Sequence, residues 1–450
     1  MALRFGTDGV RGRDAELTPE WVAALGRAAA SALRGERFVI GRDTRRSGPM
    51  IESALAAGLA ASGVDVERLG VLPTPAVAWL SATEGVPGVV ISASHNPYTD
   101  NGVKLFASGG RKLSEEVELR LEGELERLQA GGPASSAGGT GIGTVTDRDV
   151  SAGYIQALVG LLEGRRLDGL SVVLDPANGA ASAVGPEVLR RLGADVRVIH
   201  AEPDGFNINA GCGSTAPGEL CRTVVATGAD LGLALDGDAD RVHAVDHRGD
   251  LVDGDQLLAM FALDLRRRDL LRDATVVVTV MTNLGFRRAM ADHGITTVET
   301  PVGDRHVLAA LERGQWSLGG EQSGHIIFRD LATTGDGVLS GVLLADLVRR
   351  GGRPLAELAA AAMTRLPQVL RGVAVERRPE GLPEAVAAEV ATVEAELGGS
   401  GRVLVRPSGT EPMVRIMVEA PTPAEAEDAA ERLVAAVERA CTAPAGSEPR

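Results

Sequence analysis

Four short stretches of the chain carry residue types that move phosphoryl groups. In Ser92-Ala93-Ser94-His95-Asn96-Pro97 a hydroxyl stands beside an imidazole and an amide. Pro97 keeps Asn96 out of the helical region, so the segment turns or extends after the apolar run 89–91. A serine–histidine pair alone reads as a polar loop, and a nucleophile needs supporting context. Asp236-Gly237-Asp238-Ala239-Asp240-Arg241 supplies that context, with carboxylates at alternating positions after the apolar run 231–235. Carboxylate oxygens suit a hard divalent cation, Mg²⁺ above all, although a solvated acidic turn has the same spacing. An EF-hand is excluded, because its sixth loop position requires Gly and its twelfth Glu, where this chain has Arg241 and His247.

Two further stretches suit the rest of a sugar phosphate. Arg406-Pro407-Ser408-Gly409-Thr410-Glu411-Pro412 lies between the strand-like runs 402–405 and 413–418. Backbone amides, two hydroxyls and a guanidinium there could wrap a phosphate. It is not a P-loop, since the Lys-Ser/Thr ending and following helix are missing. Gly320-Glu321-Gln322-Ser323-Gly324-His325 offers a carboxylate and a hydroxyl to sugar hydroxyls, and by itself reads as a loop.

The surrounding pattern is that of alternating strands and helices. Thr18-Pro19-Glu20 predicts a helix start: a hydroxyl cap, proline in the first turn, an acid near the positive end. Gly35 is expected to close that helix, and residues 6–12 before it read as a loop. A second helix is expected over about 49–62, a third after Ser114 with Val117, Leu121, Leu125 and Leu128 on one face, and a fourth over 154–162. Residues 131–143, rich in Gly, Ser and Ala, read as a mobile loop. Three times a β-branched strand (38–40, 172–174, 276–278) leaves through a polar, glycine-containing turn into a helix. These turns are too far apart for a solenoid, so they read as tandem copies of one α/β domain. From about Pro367 the composition shifts to strands and Ala/Glu-rich helices.

At 450 residues the chain is long enough for three or four domains. A formal charge of −15 argues against a nucleic-acid partner, and 3% aromatic residues provide no base-stacking platform. Three cysteines in no metal-ligand spacing point to reduced thiols and a cytoplasmic location. No signal segment or apolar run of membrane-spanning length is read, so no membrane partner is expected.

Taken in order, the four stretches resemble the α-D-phosphohexomutase superfamily, whose signature is a phosphoserine loop, a metal loop, a sugar loop and a phosphate loop. The matching stretches run from Phe5 to Arg415. The wording of Phe5-Gly6-Thr7-Asp8-Gly9-Val10-Arg11-Gly12, of the serine motif and of the Glu321 motif looks closest to the amino-sugar members. Tyr98-Thr99-Asp100 and Val103 are mild variants that touch no proposed ligand. The resemblance implies three similar α/β domains and a smaller TATA-binding-protein-like fourth around a central cleft. The expected boundaries are 1–150, 151–252, 253–366 and 367–441, with a flexible tail over 442–450.

On the same resemblance, Ser94 is the phosphoryl carrier as its phosphoserine, and one Mg²⁺ is bound by Asp236, Asp238, Asp240 and phospho-Ser94. Lys104 is the expected general acid/base or phosphoryl stabiliser, with Arg11, His95 and His325 as further catalytic candidates and Arg241 as a nearby base. Glu321 and Ser323, with Gly303 and Arg305, are expected at the sugar; Arg406, Ser408, Gly409, Thr410 and Arg415 at the non-reacting phosphate. The implied reaction interconverts glucosamine 6-phosphate and 1-phosphate, with a hexosamine 1,6-bisphosphate as intermediate or activator, on the route to bacterial cell-wall precursors. The partner is thus a small sugar phosphate, and the enzyme a monomer or homodimer. Alternatives are a phosphomannomutase or phosphoglucomutase of the same superfamily, a Mg²⁺-dependent phosphatase, and a non-catalytic sugar-phosphate sensor.

Overall fold

The computed structural model of the chain describes every residue except 1–4, 7, 8, 134, 135, 377–380, 409–411 and 442–450. It divides into two compact units, Met1–Met281 with Gly294–Ala362, and Thr282–His293 with Met363–Arg450.

Within the first unit, three sheets repeat one strand order. In the first, Asp65–Val71, Arg37–Arg42 and Gly88–Ile91 run parallel, and Asp100–Ala107 pairs antiparallel with Gly88–Ile91. The second places Asp195–Val198, Ser171–Asp175 and Leu231–Leu235 in parallel, followed by antiparallel Val242–Asp246. The third places Thr296–Thr300, Thr275–Thr279 and Leu318–Gly320 in parallel, followed by antiparallel Ile326–Phe328. Central strands covered on both faces read as unbroken apolar runs rather than as alternation. Gly88–Ile91 and Leu231–Leu235 are accordingly buried at every position. In all three sheets the third strand reaches the antiparallel fourth through a short connection. Those connections are residues 92–99, 236–241 and 321–325, the three motifs singled out in this part of the sequence.

The first sheet departs from expectation at its edge. Residues 6–12 read as a loop, yet Gly9–Arg13 is a strand antiparallel to Asp100–Ala107. Gly9 makes this close approach feasible: it sits at φ +83°, and a Cβ there would fall 2.2 Å from the Val103 carbonyl oxygen. The first helix, Pro19–Leu33, is capped by Thr18, whose hydroxyl accepts from the Trp21 N–H. It ends in a left-handed Arg34, one residue before the expected glycine. Glu115–Gln129 buries Leu121 and Leu125, with Val117 and Leu128 packed on the same core. Burying each such leucine contributes about 2 kcal/mol. The described part of 131–143, expected to be mobile, is tied down instead. Ala137 and Gly143 donate their N–H groups to the carbonyls of Ala61 and Ala60 at the end of Gly48–Ala61.

The second unit contains an antiparallel sheet with Met413–Glu419 between Gln368–Ala374 and Arg402–Pro407. Helices Glu384–Leu397 and Pro423–Cys441 supply Val386, Val393, Leu433 and Val437 to its core. Helix Leu284–Asp292 belongs to this unit as well; Asn283 caps it, and the Leu284 N–H donates to Glu419 Oε2. The 442–450 tail lies outside the described residues. Among the described residues, no helix is long and apolar enough to cross a membrane.

Candidate active site

Ser94 occupies a left-handed backbone conformation, φ +53°, which costs a non-glycine residue about 1–2 kcal/mol. The surrounding donors over-determine it. Its N–H donates to Ser92 Oγ at 2.9 Å. Its carbonyl accepts from Arg45 Nη2 at 3.3 Å and Asn209 Nδ2 at 2.9 Å, and both donors also reach the Asn96 carbonyl, at 2.5 and 3.1 Å. Arg45 is buried and ion-paired with Asp43. Burial raises the Asp43 carboxyl above its ordinary range even against that guanidinium. Gly237 lets the acidic loop lie against the serine loop, since a Cβ there would stand 2.6 Å from the Ser94 carbonyl oxygen. Sequence reading missed Asp43, Arg45 and Asn209. The polar turn after strand Arg37–Arg42 was a signal for the first two; nothing local marks Asn209.

The serine and the acidic trio meet. Ser94 Oγ donates to Asp236 Oδ2 at 2.5 Å and lies 3.4 Å from His95 Nδ1. Lys104 Nζ donates to Asp238 Oδ2 at 2.8 Å and Asp240 Oδ2 at 3.2 Å. Thr74, at the start of Thr74–Glu84 and also missed from sequence, donates Oγ1–H to Asp238 Oδ2 at 2.6 Å. All three aspartates are buried, and one oxygen of each lies within 4.8 Å of the others, close enough to share a metal ion. Oδ1 of Asp238 and Oδ1 of Asp240 are buried without a hydrogen bond. A buried carboxylate oxygen with no donor is costly; Asp238 Oδ1 is such an atom, and Asp240 Oδ1 has Arg241 Nε and His325 Nδ1 only at 3.7 Å, so this all-oxygen set fits a hard cation.

Charge is unevenly shared across the trio. Burial, then the charges of Asp240 and Asp238, push the Asp236 carboxyl well above its usual value. Burial acts on Asp240 in the same sense, but Lys104, His325 and Arg241 together outweigh it and hold that carboxyl well below the ordinary range. His95 is lowered to about 4, first by burial and then by Arg241 and Arg11. Its Nδ1 accepts from Arg241 Nη1 at 3.1 Å, so it is a neutral imidazole at pH 7.

Beside the trio lies a cavity of about 450 Å³ lined by Arg11, Asp240, Arg241, Gly303, Glu321 and His325, among others. Ser94 is 1% exposed and does not line it. Glu321 Oε1 accepts the Gly303 N–H at 2.9 Å, which joins two loops of the third sheet at the cavity wall. His325 Nε2 accepts the Gly335 N–H at 3.1 Å, which places a neutral ring's proton on Nδ1, 3.7 Å from Asp240. Ser323 Oγ is buried without a hydrogen bond. Arg305 is turned elsewhere: its guanidinium forms a two-pronged pair with Glu118.

The phosphate-loop candidates belong to the second unit. Arg406 and Arg415 are directly opposite each other on adjacent strands, an arrangement that is destabilising for like charges and that an anion relieves. Ser408 is buried, its N–H donating to the Met413 carbonyl at 2.8 Å. Gly409 and Thr410 lie outside the described residues.

Comparison with known proteins agrees with this architecture. The four domain patterns of the phosphoglucomutase/phosphomannomutase family match in order: alpha/beta/alpha domain I at residues 2–131, domain II at 152–249, domain III at 253–366 and the C-terminal domain at 364–436. The chain is 55% identical over 444 residues to a phosphoglucosamine mutase of Thermobifida fusca, covering 96% of this chain and 97% of that one. A phosphoglucomutase/phosphomannomutase family protein from Burkholderia thailandensis superposes with a TM-score of 0.79 at 25% identity, over 98% of each chain. An Aspergillus fumigatus N-acetylphosphoglucosamine mutase, solved with GlcNAc-6P and magnesium, has the same fold, with a TM-score of 0.71 at 20% identity over 98% of this chain and 96% of that one. The strand order repeated in three sheets and the match of all four domain patterns and of the full-length relatives together establish that this chain belongs to the phosphoglucomutase/phosphomannomutase family, among its phosphoglucosamine mutases.

Proposed function

We propose that the chain interconverts glucosamine 6-phosphate and glucosamine 1-phosphate, with Ser94 as phosphoryl carrier and a hexosamine 1,6-bisphosphate as intermediate. The observation that carries this reading is the 2.5 Å contact between Ser94 Oγ and Asp236, where the first two sheets present their corresponding loops to each other. In the forward direction the P–O bond to Ser94 breaks as a P–O bond to the sugar's 1-hydroxyl forms, and that hydroxyl's proton passes to a base. After the bisphosphate turns over, Ser94 Oγ takes the 6-phosphoryl, and the sugar's 6-oxygen recovers a proton.

Such transfer depends on positioning and charge neutralisation. Asp236, Asp238 and Asp240 would hold Mg²⁺, which when bound screens the charge of the transferring phosphoryl. Lys104, donating to two of these carboxylates, acts as a fixed cation beside the phosphoryl. Neutral His95, its Nδ1 already accepting from Arg241, is a polar neighbour of Ser94 Oγ rather than a base. Arg11 and Arg241 supply positive charge along the cavity, and Glu321 accepts from sugar hydroxyls. Arg406, Ser408 and Arg415 would hold the non-reacting phosphate. Rates with each hexose 1-phosphate test the assignment: glucosamine 1-phosphate should be the fastest. Faster turnover of glucose or mannose 1-phosphate by orders of magnitude would reassign the specificity within the family, and release of free phosphate would make the protein a phosphatase.

The metal can be tested without turnover. Because folding raises the Asp236 value, the folded metal-free protein retains a proton that the unfolded chain releases. Its stability therefore falls as pH rises from the ordinary Asp range through the raised value. Mg²⁺ replaces that proton, so its stabilisation grows over the same interval, reaching about 2.7 kcal/mol at 100 times Kd. Thermal melts with and without Mg²⁺ across that range measure the difference, and a pH-independent Mg²⁺ effect would contradict the assignment.

A further inference from the structure

The second sheet holds another set of metal-ligating side chains, separate from the acidic trio. Asp175 ends strand Ser171–Asp175, His200 follows strand Asp195–Val198, and Cys212 precedes a short 3₁₀ turn, Gly213–Thr215. Asp175 and Cys212 are fully buried, and His200 is partly exposed. One ligand atom from each lies within 4.8 Å of the others. His200 is in the left-handed region at φ +50°, and its two ring nitrogens face two carboxylates. Nδ1 is 3.0 Å from Asp175 Oδ2, and Nε2 is 3.2 Å from Glu219 Oε2.

We propose that Asp175, His200 and Cys212 form a second cation site, selective for a zinc-type divalent ion, with Glu219 orienting the imidazole. A mixed oxygen, nitrogen and sulfur donor set favours such an ion over Mg²⁺, which prefers oxygen alone. Zinc–ligand distances of about 2.0–2.3 Å place tetrahedral donors roughly 3.3–3.8 Å apart, so the His200 Nδ1–Asp175 Oδ2 pair at 3.0 Å would open slightly to admit the ion. A metal-bound histidine ordinarily gives its other N–H to a carboxylate, and Glu219 stands where that partner belongs. Asp175 already accepts the N–H groups of Ala177 and Gly213 at 2.9 and 2.8 Å, which fix its carboxylate and leave further lone pairs for a metal. Burial and the Asp175 charge push the Cys212 thiol up to about 12. Binding would therefore break the S–H bond as the sulfur–metal bond forms, with the proton passing to solvent.

The site has a structural consequence. His200 and Cys212 bracket the segment that carries Asn209, the donor to the Ser94 and Asn96 carbonyls. A cation here would fasten both ends of that segment to the sheet.

Co²⁺ titration of the full chain in excess Mg²⁺ is the test, because oxygen ligands give no sulfur-to-cobalt charge-transfer band. One equivalent of Co²⁺ should produce that band in the near ultraviolet. The band should vanish in Cys212→Ser and persist in Cys221→Ser and Asp238→Ala. His200→Gln, at a partly exposed position, should weaken Co²⁺ binding by at least about tenfold. A wild-type protein without the band, a band that survives Cys212→Ser, or unchanged affinity in His200→Gln would overturn the proposal.

Discussion

Ser94→Ala should leave a folded protein whose mutase turnover is reduced by at least about 10⁴-fold, the scale on which loss of a nucleophile is felt. The variant keeps its loop because the groups that enforce the left-handed turn act on backbone carbonyls, from Arg45 and Asn209. What it loses is the Oγ hydrogen bond to Asp236, about 1 kcal/mol net, so a small change in melting temperature is expected. The large loss lies in chemistry: no other side chain can replace the oxygen that carries the phosphoryl group. Mass spectrometry should find an 80 Da-scale phosphate adduct on the wild-type peptide containing Ser94, roughly one phosphoryl per chain when fully loaded, and none on the variant. Near-normal turnover in the variant would remove Ser94 from the mechanism.

Lys104→Met should affect both stability and rate. Nζ donates to Asp238 and Asp240, and all three residues are buried. Removing one partner of a buried ion pair costs about 3–5 kcal/mol, because the remaining charges are left uncompensated. The metal-free variant should therefore melt well below the wild type. Asp240, whose carboxyl Lys104 helps to hold low, should rise in pKa. Mg²⁺ should bind more tightly to the variant and restore much of its stability, since the ion meets less competing positive charge. Turnover should nevertheless stay about 10²–10⁴-fold down at saturating Mg²⁺, because the lost ammonium served the phosphoryl group. Melting curves and initial rates, each with saturating Mg²⁺, separate the two effects. Wild-type rates under those conditions would reduce Lys104 to a structural role.

The site was legible where chemistry is written in contiguous residues. A hydroxyl after an apolar strand, carboxylates at every second position, and a glutamate and histidine in one glycine-bounded loop are local patterns. Each proved to occupy the same connection in its own sheet. The supporting groups were not legible because their partners are remote. Arg45, Asn209 and Thr74 reach the serine and acidic loops across 49, 115 and 164 residues, and no periodicity encodes such pairings. Glycine misled in both directions. Residues 6–12 read as a loop because glycine usually marks one, whereas Gly9 allows a strand to press against the Val103 carbonyl. At the first helix the chain used Arg34 for the left-handed cap, leaving the adjacent glycine unused for that purpose. The guanidinium of Arg305 illustrates a further limit: its motif placed it near the sugar loop, but its charge is matched by Glu118.

The most direct measurement follows a radiolabelled phosphoryl group through one turnover. Protein labelled on Ser94 is mixed with substoichiometric glucosamine 6-phosphate and quenched at successive times. Label should leave Ser94, appear in the hexosamine 1,6-bisphosphate, and then reside in the 1-phosphate while unlabelled phosphoryl replaces it on the serine. Label that stays on the protein while the sugar isomerises, or that emerges as inorganic phosphate, would contradict a phosphoryl group lent and recovered by Ser94.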